Sequence, residues 1–377
     1  MAAGLVIGLS AVKLAIFWHP LAIVGDAIFQ VHRAQMVHGG EYFFTSVTPR
    51  PFFEFPYAIA LYVAALPFWG SLPSELDLVH LLRTLCVVAD ALVGVALYGA
   101  VRRQSGSRFV GLLAAAMWPL ARAPFEALSN ANLTNLFGQA AFGTGLAGFA
   151  WWAASGARPI WTLVATGALV TIGFLSHFGT ITVGVIVLGA SATLLAAVGD
   201  RPARAAGAWL LAMTIGAVAI SWTVYYSHFT AVYTNTYQQV KTGERDDTSK
   251  VVAAPSVKFA RWRSGAGDDY GLPGWPALAL ACVGVALAVW RRQRDAVTVT
   301  LSAWLLAWIG LSALGIFTPL TLRANLAAAP AIVGLGACAL APLADRSTIG
   351  RVVALMIAAV IGWNGLQVGL NCIGTGW

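Results

Sequence analysis

About eleven apolar runs, each of roughly 15 to 24 residues and divided by short charged breaks, fill most of this 377-residue chain. That repeat constrains the fold more than anything else in the sequence. A helix rises about 1.5 Å per residue, so runs of this length match the ~30 Å hydrocarbon core of a bilayer. They cover 2–18, 78–101, 109–125, 131–154, 160–175, 179–198, 206–226, 275–290, 297–317, 321–343 and 350–370. Charged residues make up 10% of the chain and hydrophobic ones 59%, where a soluble domain carries about 25% charged residues. The expected architecture is all-α: a polytopic transmembrane bundle of about eleven helices, one integral membrane domain over residues 1–377. A further run at 56–70 begins at Pro56 and contains Pro67, so it reads as an interfacial or re-entrant piece within a long first outer loop.

Charge orients the bundle. With 56–70 left out, alternate loops hold Arg102, Arg103 and Arg108; Arg158; Arg201 and Arg204; Arg291, Arg292 and Arg294; and Arg346 and Arg351. Each is short and basic, which places these loops and the N-terminus in the cytoplasm and Trp377 outside, as in a multi-pass protein of the cytoplasmic (inner) membrane. The loop from about 227 to 274 runs against this pattern with six basic residues, Lys241, Arg245, Lys250, Lys258, Arg261 and Arg263. The net charge of +8 is thereby a topology signal and not a nucleic-acid footprint, since no basic helix interleaved with aromatics exists. Four cysteines, Cys86, Cys282, Cys338 and Cys372, lack the spacing of a zinc site or a disulfide framework. Lys13 interrupts the first run, and no basic segment or small-residue cleavage site surrounds it, so that run is expected to stay as a helix.

An asymmetry follows that the charge rule did not use. All six histidines, His19, His32, His38, His80, His177 and His228, fall at the outer side, as does every carboxylate except Asp90, Asp200, Asp295 and Asp345. The two long outer loops, about 19–77 and 227–274, are where function is expected. His80, Arg83 and Asp90 share one helical face, and Asn132, Asn135 and Gln139 form a second polar stripe. Such stripes face a bundle interior or a water-filled cavity. Asp26 follows the first helix and precedes His32 and Arg33; it suits both an N-cap of a helix over 27–38 and a catalytic carboxylate. Glu54 and Glu41 are second acids, His177 fits either a site or a simple turn, and Arg323 fits either an anion site or a snorkelling residue. The Asp246-Asp247 and Asp268-Asp269 pairs read as solvated charge. No spacing specifies a metal, and a divalent cation stays compatible with the acids.

These features together resemble the C-type (GT-C) glycosyltransferase superfamily. The resemblance rests on Gly25-Asp26, Thr48-Pro49-Arg50-Pro51-Phe52, Phe55-Pro56-Tyr57, Phe68-Trp69-Gly70 and Arg83, with Ser176-His177 and Arg323 as looser matches. It implies a membrane enzyme that moves a sugar from a polyprenyl-phosphate donor to a glycan, lipid or protein acceptor outside the cytoplasmic membrane. On that resemblance the transfer is inverting, and Asp26 deprotonates the acceptor hydroxyl or helps place it; Glu54, from the reading of the loop itself, is the second carboxylate. Arg50 and Arg323 are the candidates for the phosphate with Arg83 in support; His32, Arg33, His80 and His177, from the reading of the loop and helix ends, are further candidate substrate- or phosphate-binding residues. Membrane lipid is a partner and nucleic acid is not. Two other readings fit the same stripes: a transporter or flippase, which calls for related halves, broken helices and midplane polar sites, and a non-catalytic subunit of an envelope assembly.

Overall fold

Every apolar run but one folds as a single helix. The computed structural model describes residues 1–22, 26–47, 54–71, 74–155, 159–242, 254–264, 274–317 and 325–374. In chain order the elements begin with α1 (Ala2–Phe17), α2 (Ala27–His38), β1 (Thr45–Val47), β2 (Glu54–Pro56) and α3 (Ala60–Ala65), which runs into a 3-10 turn at Leu66–Ser71. Next come α4 (Glu75–Ser105), α5 (Arg108–Met117), α6 (Arg122–Ser129), α7 (Leu133–Ala154), α8 (Ile160–Phe174), α9 (Phe178–Val198) and α10 (Arg201–Val224). A 3-10 turn at Tyr226–Phe229 leads to α11 (Thr230–Thr242), α12 (Pro255–Ser264), α13 (Trp275–Trp290), α14 (Ala296–Phe317), α15 (Asn325–Ala344) and α16 (Thr348–Gly374). Among the described residues, six of these helices, α4, α9, α10, α14, α15 and α16, are long and apolar enough to cross a membrane. The segment at 56–70 becomes α3 and its 3-10 turn, too short for about 30 Å of hydrocarbon.

The exception is 109–125, expected as one helix. It is α5 and α6, separated by a turn at residues 118–121. Pro119 lacks an N–H and its ring opposes a continuing helix, so the ladder stops there; the break lies about 15 Å from the start of α5 by helical rise. The all-α expectation omitted one small feature as well, an antiparallel ladder pairing Thr45 with Pro56 and Val47 with Glu54. Three residues per strand are too few for alternation to announce them.

The bundle has two distinct ends. At the arginine-rich end Asp200 N–H donates to Arg294 O at 2.9 Å, Gln104 Nε2 to Gln293 Oε1 at 3.2 Å and Ser107 Oγ to Asp345 Oδ1 at 2.9 Å. Two of the three carboxylates at this end begin helices: Asp200 Oδ1 accepts from Ala203 N–H, and Asp295 Oδ1 from Val297 and Thr298. Its arginines close helix C-termini, whose last carbonyls lack intrahelical donors. Arg103 Nε donates to Ala154 O at 2.9 Å, Arg204 Nε to Gly199 O at 2.9 Å and Arg351 Nε to Ala344 O at 3.3 Å. At the opposite, loop-rich end Arg83 does the same for α1 through Phe17 O at 2.8 Å.

Helix α15 runs through the centre, buried without interruption from Asn325 to Ala337. Helices α10, α13 and α16 instead expose large apolar side chains, among them Trp209, Trp222, Val289, Trp290, Met356 and Trp363. That surface belongs against lipid, and the chain is a multi-pass membrane protein. Helix α16 docks through small residues on the α5–α6 turn. A Cβ on Gly365 would overlap the Leu120 carbonyl oxygen, and one on Gly369 would press on the Phe125 ring. Gly365→Ala is therefore expected to cost about 1–3 kcal/mol or more, measured as a lower Tm in detergent; an unchanged Tm would show that α16 can shift away freely.

Candidate active site

The first outer loop of the sequence reading packs onto the loop-rich end as a layer. Helix α2 buries Ala27, Gln30, Val31, Ala34 and Val37, a spacing of three and four that makes one face. Gln30 is the polar member of that face and is 3% exposed. Its Nε2 donates to Tyr57 Oη at 3.1 Å, and its Oε1 accepts from Tyr62 Oη at 2.6 Å. Tyr57 Oη lies 3.4 Å from Thr134 Oγ1 of α7. One buried amide thus joins α2, the segment after β2, α3 and α7. From the far side Tyr225 Oη donates to Tyr57 O at 2.7 Å, Tyr226 Oη to Phe174 O at 2.7 Å, and Ala60 N–H to Leu175 O at 2.9 Å. Burial pushes the phenols of Tyr62, Tyr225 and Tyr226 up from their ordinary pKa and that of Tyr233 to about 12, so all four stay neutral at physiological pH.

Asp26 occupies the N-cap position of α2, as the capping reading expected, yet its side chain makes no capping hydrogen bond. Its carboxylate is exposed, while its backbone carbonyl accepts the first helical bond from Gln30 N–H at 3.1 Å. His32 is exposed on the same helix. Arg33 is half-buried in an aromatic box, with its guanidinium 5.0 Å from the Phe29 ring centroid, 4.8 Å from Phe44 and 5.9 Å from Tyr57. It donates to Thr45 O at 3.2 Å. Thr45 Oγ1 in turn donates to Glu54 Oε1 at 2.6 Å, so Arg33 and Glu54 meet on one residue of the β-ladder. Arg50 and Arg323 lie outside the described residues, as do Gly25, Pro49, Pro51 and the two aspartate pairs.

The face of α4 predicted from spacing is turned toward α1. His80 stacks on Trp18 with ring centroids 5.2 Å apart. Arg83, 1% exposed, holds Phe17 O, and Asp90 Oδ2 accepts from Lys13 Nζ at 2.6 Å with both side chains fully buried. Asn135 and Gln139, the second stripe, are also buried. His177 is half-buried and caps α9, its Nδ1 accepting from Gly179 N–H at 3.0 Å. Among the described residues no three His, Cys, Asp or Glu side chains cluster as a metal site would need. Tyr57 belongs to the Phe55-Pro56-Tyr57 motif, but its bond to Gln30, and Gln30 and Tyr62 themselves, are not singled out by the sequence. A glutamine on the otherwise apolar face of α2 is the visible sign of Gln30; nothing local marks Tyr62.

No family model and no curated protein matches the sequence. Solved structures do. The apo oligosaccharyltransferase of Archaeoglobus fulgidus superposes with a TM-score of 0.62 at 13% identity, over 99% of this chain and 56% of that one. The same organism's AglB, solved with an inhibitory peptide and a dolichol-phosphate, gives 0.58 at 14% identity, over 98% and 56%. ArnT of Cupriavidus metallidurans bound to undecaprenyl phosphate gives 0.58 at 17%, over 96% and 64%. The chain shares the fold of these oligosaccharyltransferase and ArnT structures, in line with the all-α membrane bundle expected from the sequence. The chain spans little more than half the length of the archaeal proteins and about two thirds of ArnT.

Proposed function

We propose that this chain is a membrane glycosyltransferase that transfers a sugar from a polyprenyl-phosphate-linked donor to an acceptor at the loop-rich end, on the outer side of the cytoplasmic membrane. The observation that carries this reading is the Asp26 carboxylate: exposed, released from helix capping, and set in the first loop of a fold shared with ArnT, itself bound to undecaprenyl phosphate. In the proposed step the acceptor hydroxyl attacks the anomeric carbon and the bond from that carbon to the phosphate oxygen breaks. Asp26 takes the acceptor proton, and the polyprenyl phosphate leaves with the electron pair, inverting the centre. Arg50 and Arg323 are the proposed partners of the leaving phosphate, where cations stabilise developing charge. Glu54, fixed to the ladder through Thr45, is the second carboxylate, and His32 is the imidazole nearest in sequence to Asp26. Arg33, His80, Arg83 and His177 are proposed as further groups that bind the donor or position the residues that do. The test is turnover of a radiolabelled polyprenyl-phosphate sugar by purified protein; transfer to no acceptor of glycan, lipid or protein type would remove the reading.

The orientation is proposed from the arginine distribution. In a background without the native cysteines, a membrane-impermeant thiol reagent applied from outside is expected to label Thr230→Cys and to spare Arg108→Cys, both exposed positions. The reverse pattern would invert the protein and place the site in the cytoplasm. A flippase reading gains from the α5–α6 break, but Lys13 and Asp90 beside it are sealed by protein on all sides.

A further inference from the structure

Four contacts set how α1 lies along α4. A Cβ on Gly94 would lie 3.3 Å from Val6 Cγ2, Lys13 bonds Asp90, Arg83 holds the Phe17 carbonyl, and Trp18 stacks on His80. The helices are antiparallel and in one register along their shared length. The small-residue contact and the carbonyl at a helix end tolerate sliding, since neither is specific to one partner, and the ring stack lies at the very end of the shared length. The ion pair sits inside that length and lacks an equivalent a turn away: Asp90 is the one acid between Asp77 and the end of α4, and Lys13 the one cation of α1. Both charges are fully buried. Trp118 Nε1 donates to Asp90 O at 2.7 Å, and Lys13 Nζ lies 4.8 Å from the Phe125 ring centroid, so the pair also contacts the α5–α6 turn and α6.

Between apolar helices in lipid no hydrophobic force selects a register. A buried ion pair is weak evidence for stability, since an apolar replacement of similar volume is often neutral, but it can specify one arrangement against its neighbours. A slip of one helical turn moves α1 by about 5.4 Å, and α1 leads through eight residues to Asp26. Reactive groups must be held far more closely than that. We infer that Lys13 and Asp90 are a positioning pair: they fix the register of α1 on α4 and through it the place of Asp26. The positional part of this inference rests on the transferase reading; the register part does not.

The test uses the double variant Lys13→Met/Asp90→Leu, which removes both charges and leaves none unpaired. Register is read with a short bifunctional thiol reagent bridging Trp18→Cys and His80→Cys in membranes, each single-cysteine chain being the control. Turnover is read separately with Trp18 and His80 intact. The expected result is a stably folded double variant at parental yield that loses most of the cross-link and at least ten-fold in kcat, with KM little changed. A double variant that cross-links and turns over like the parent overturns the proposal. Should the apolar pair fail to accumulate, the charge-swapped Lys13→Asp/Asp90→Lys chain is expected to keep the cross-link, and a swapped chain that accumulates without it overturns the proposal equally. A parent chain that turns over no donor would remove the transferase reading while the cross-link still decides the register.

Discussion

Asp26→Asn is expected to lower turnover by about 10² to 10⁴, the range associated with losing a positioned general base, while protein yield and Tm stay at the parental values. The structure sharpens the control. A side chain that capped α2 would make Asp26→Ala cost about 0.5–2 kcal/mol. Because the carboxylate makes no capping bond and is exposed, that substitution belongs with ordinary surface changes, within about 0.5 kcal/mol. Both variants should therefore be stable and inactive, a combination that capping does not produce. A stable Asp26→Asn protein with parental turnover would end the assignment and pass the role to Glu54 or Glu41.

Asp90→Ala should cost about 3–5 kcal/mol of stability, since it strands the Lys13 ammonium inside the protein. The comparison is Arg122→Ala. That residue's partner, Glu126, lies one turn away on α6 at 2.5 Å, and the arginine side chain is 36% exposed, so losing the pair should cost no more than about 1 kcal/mol. Thermal unfolding of the two variants in one detergent separates them. Equal midpoints would mean that Lys13 finds solvent without Asp90, and that the pair is not sealed.

What the sequence made legible, and what it hid, divides along distance. Helices announce themselves through the length of apolar runs, because hydrocarbon thickness selects that length, and α4, α9, α10, α14 and α16 fall close to where the runs put them. Pro119 was as visible as Pro56 and Pro67, but it sits inside a run apolar enough to read as continuous, so the α5–α6 break went unseen. The face of His80, Arg83 and Asp90 was readable from spacing alone; that it meets α1 was not, because Lys13 and Asp90 are separated by 77 positions. Lys13 itself was read only as a flaw in the first apolar run. At the candidate site, Asp26 was legible as a carboxylate at a helix start, and its freedom from the cap was not. The hydroxyl and amide groups that seat α2 acquire their meaning only when Thr134 of α7 and Tyr225 after α10 arrive from elsewhere in the chain.

The arginines that close Ala154, Gly199 and Ala344 carry two messages in one side chain. In the proposed orientation their charge holds these loops in the cytoplasm, which lysine would do equally well; in the folded bundle each offers a planar Nε–H to a helix-end carbonyl, a fixed donor that lysine lacks. Exchanging the two cations at these positions would leave the protein threaded correctly and its helix ends frayed. Insertion and cohesion, usually encoded apart, are here written on the same residues, so drift in one is restrained by the other.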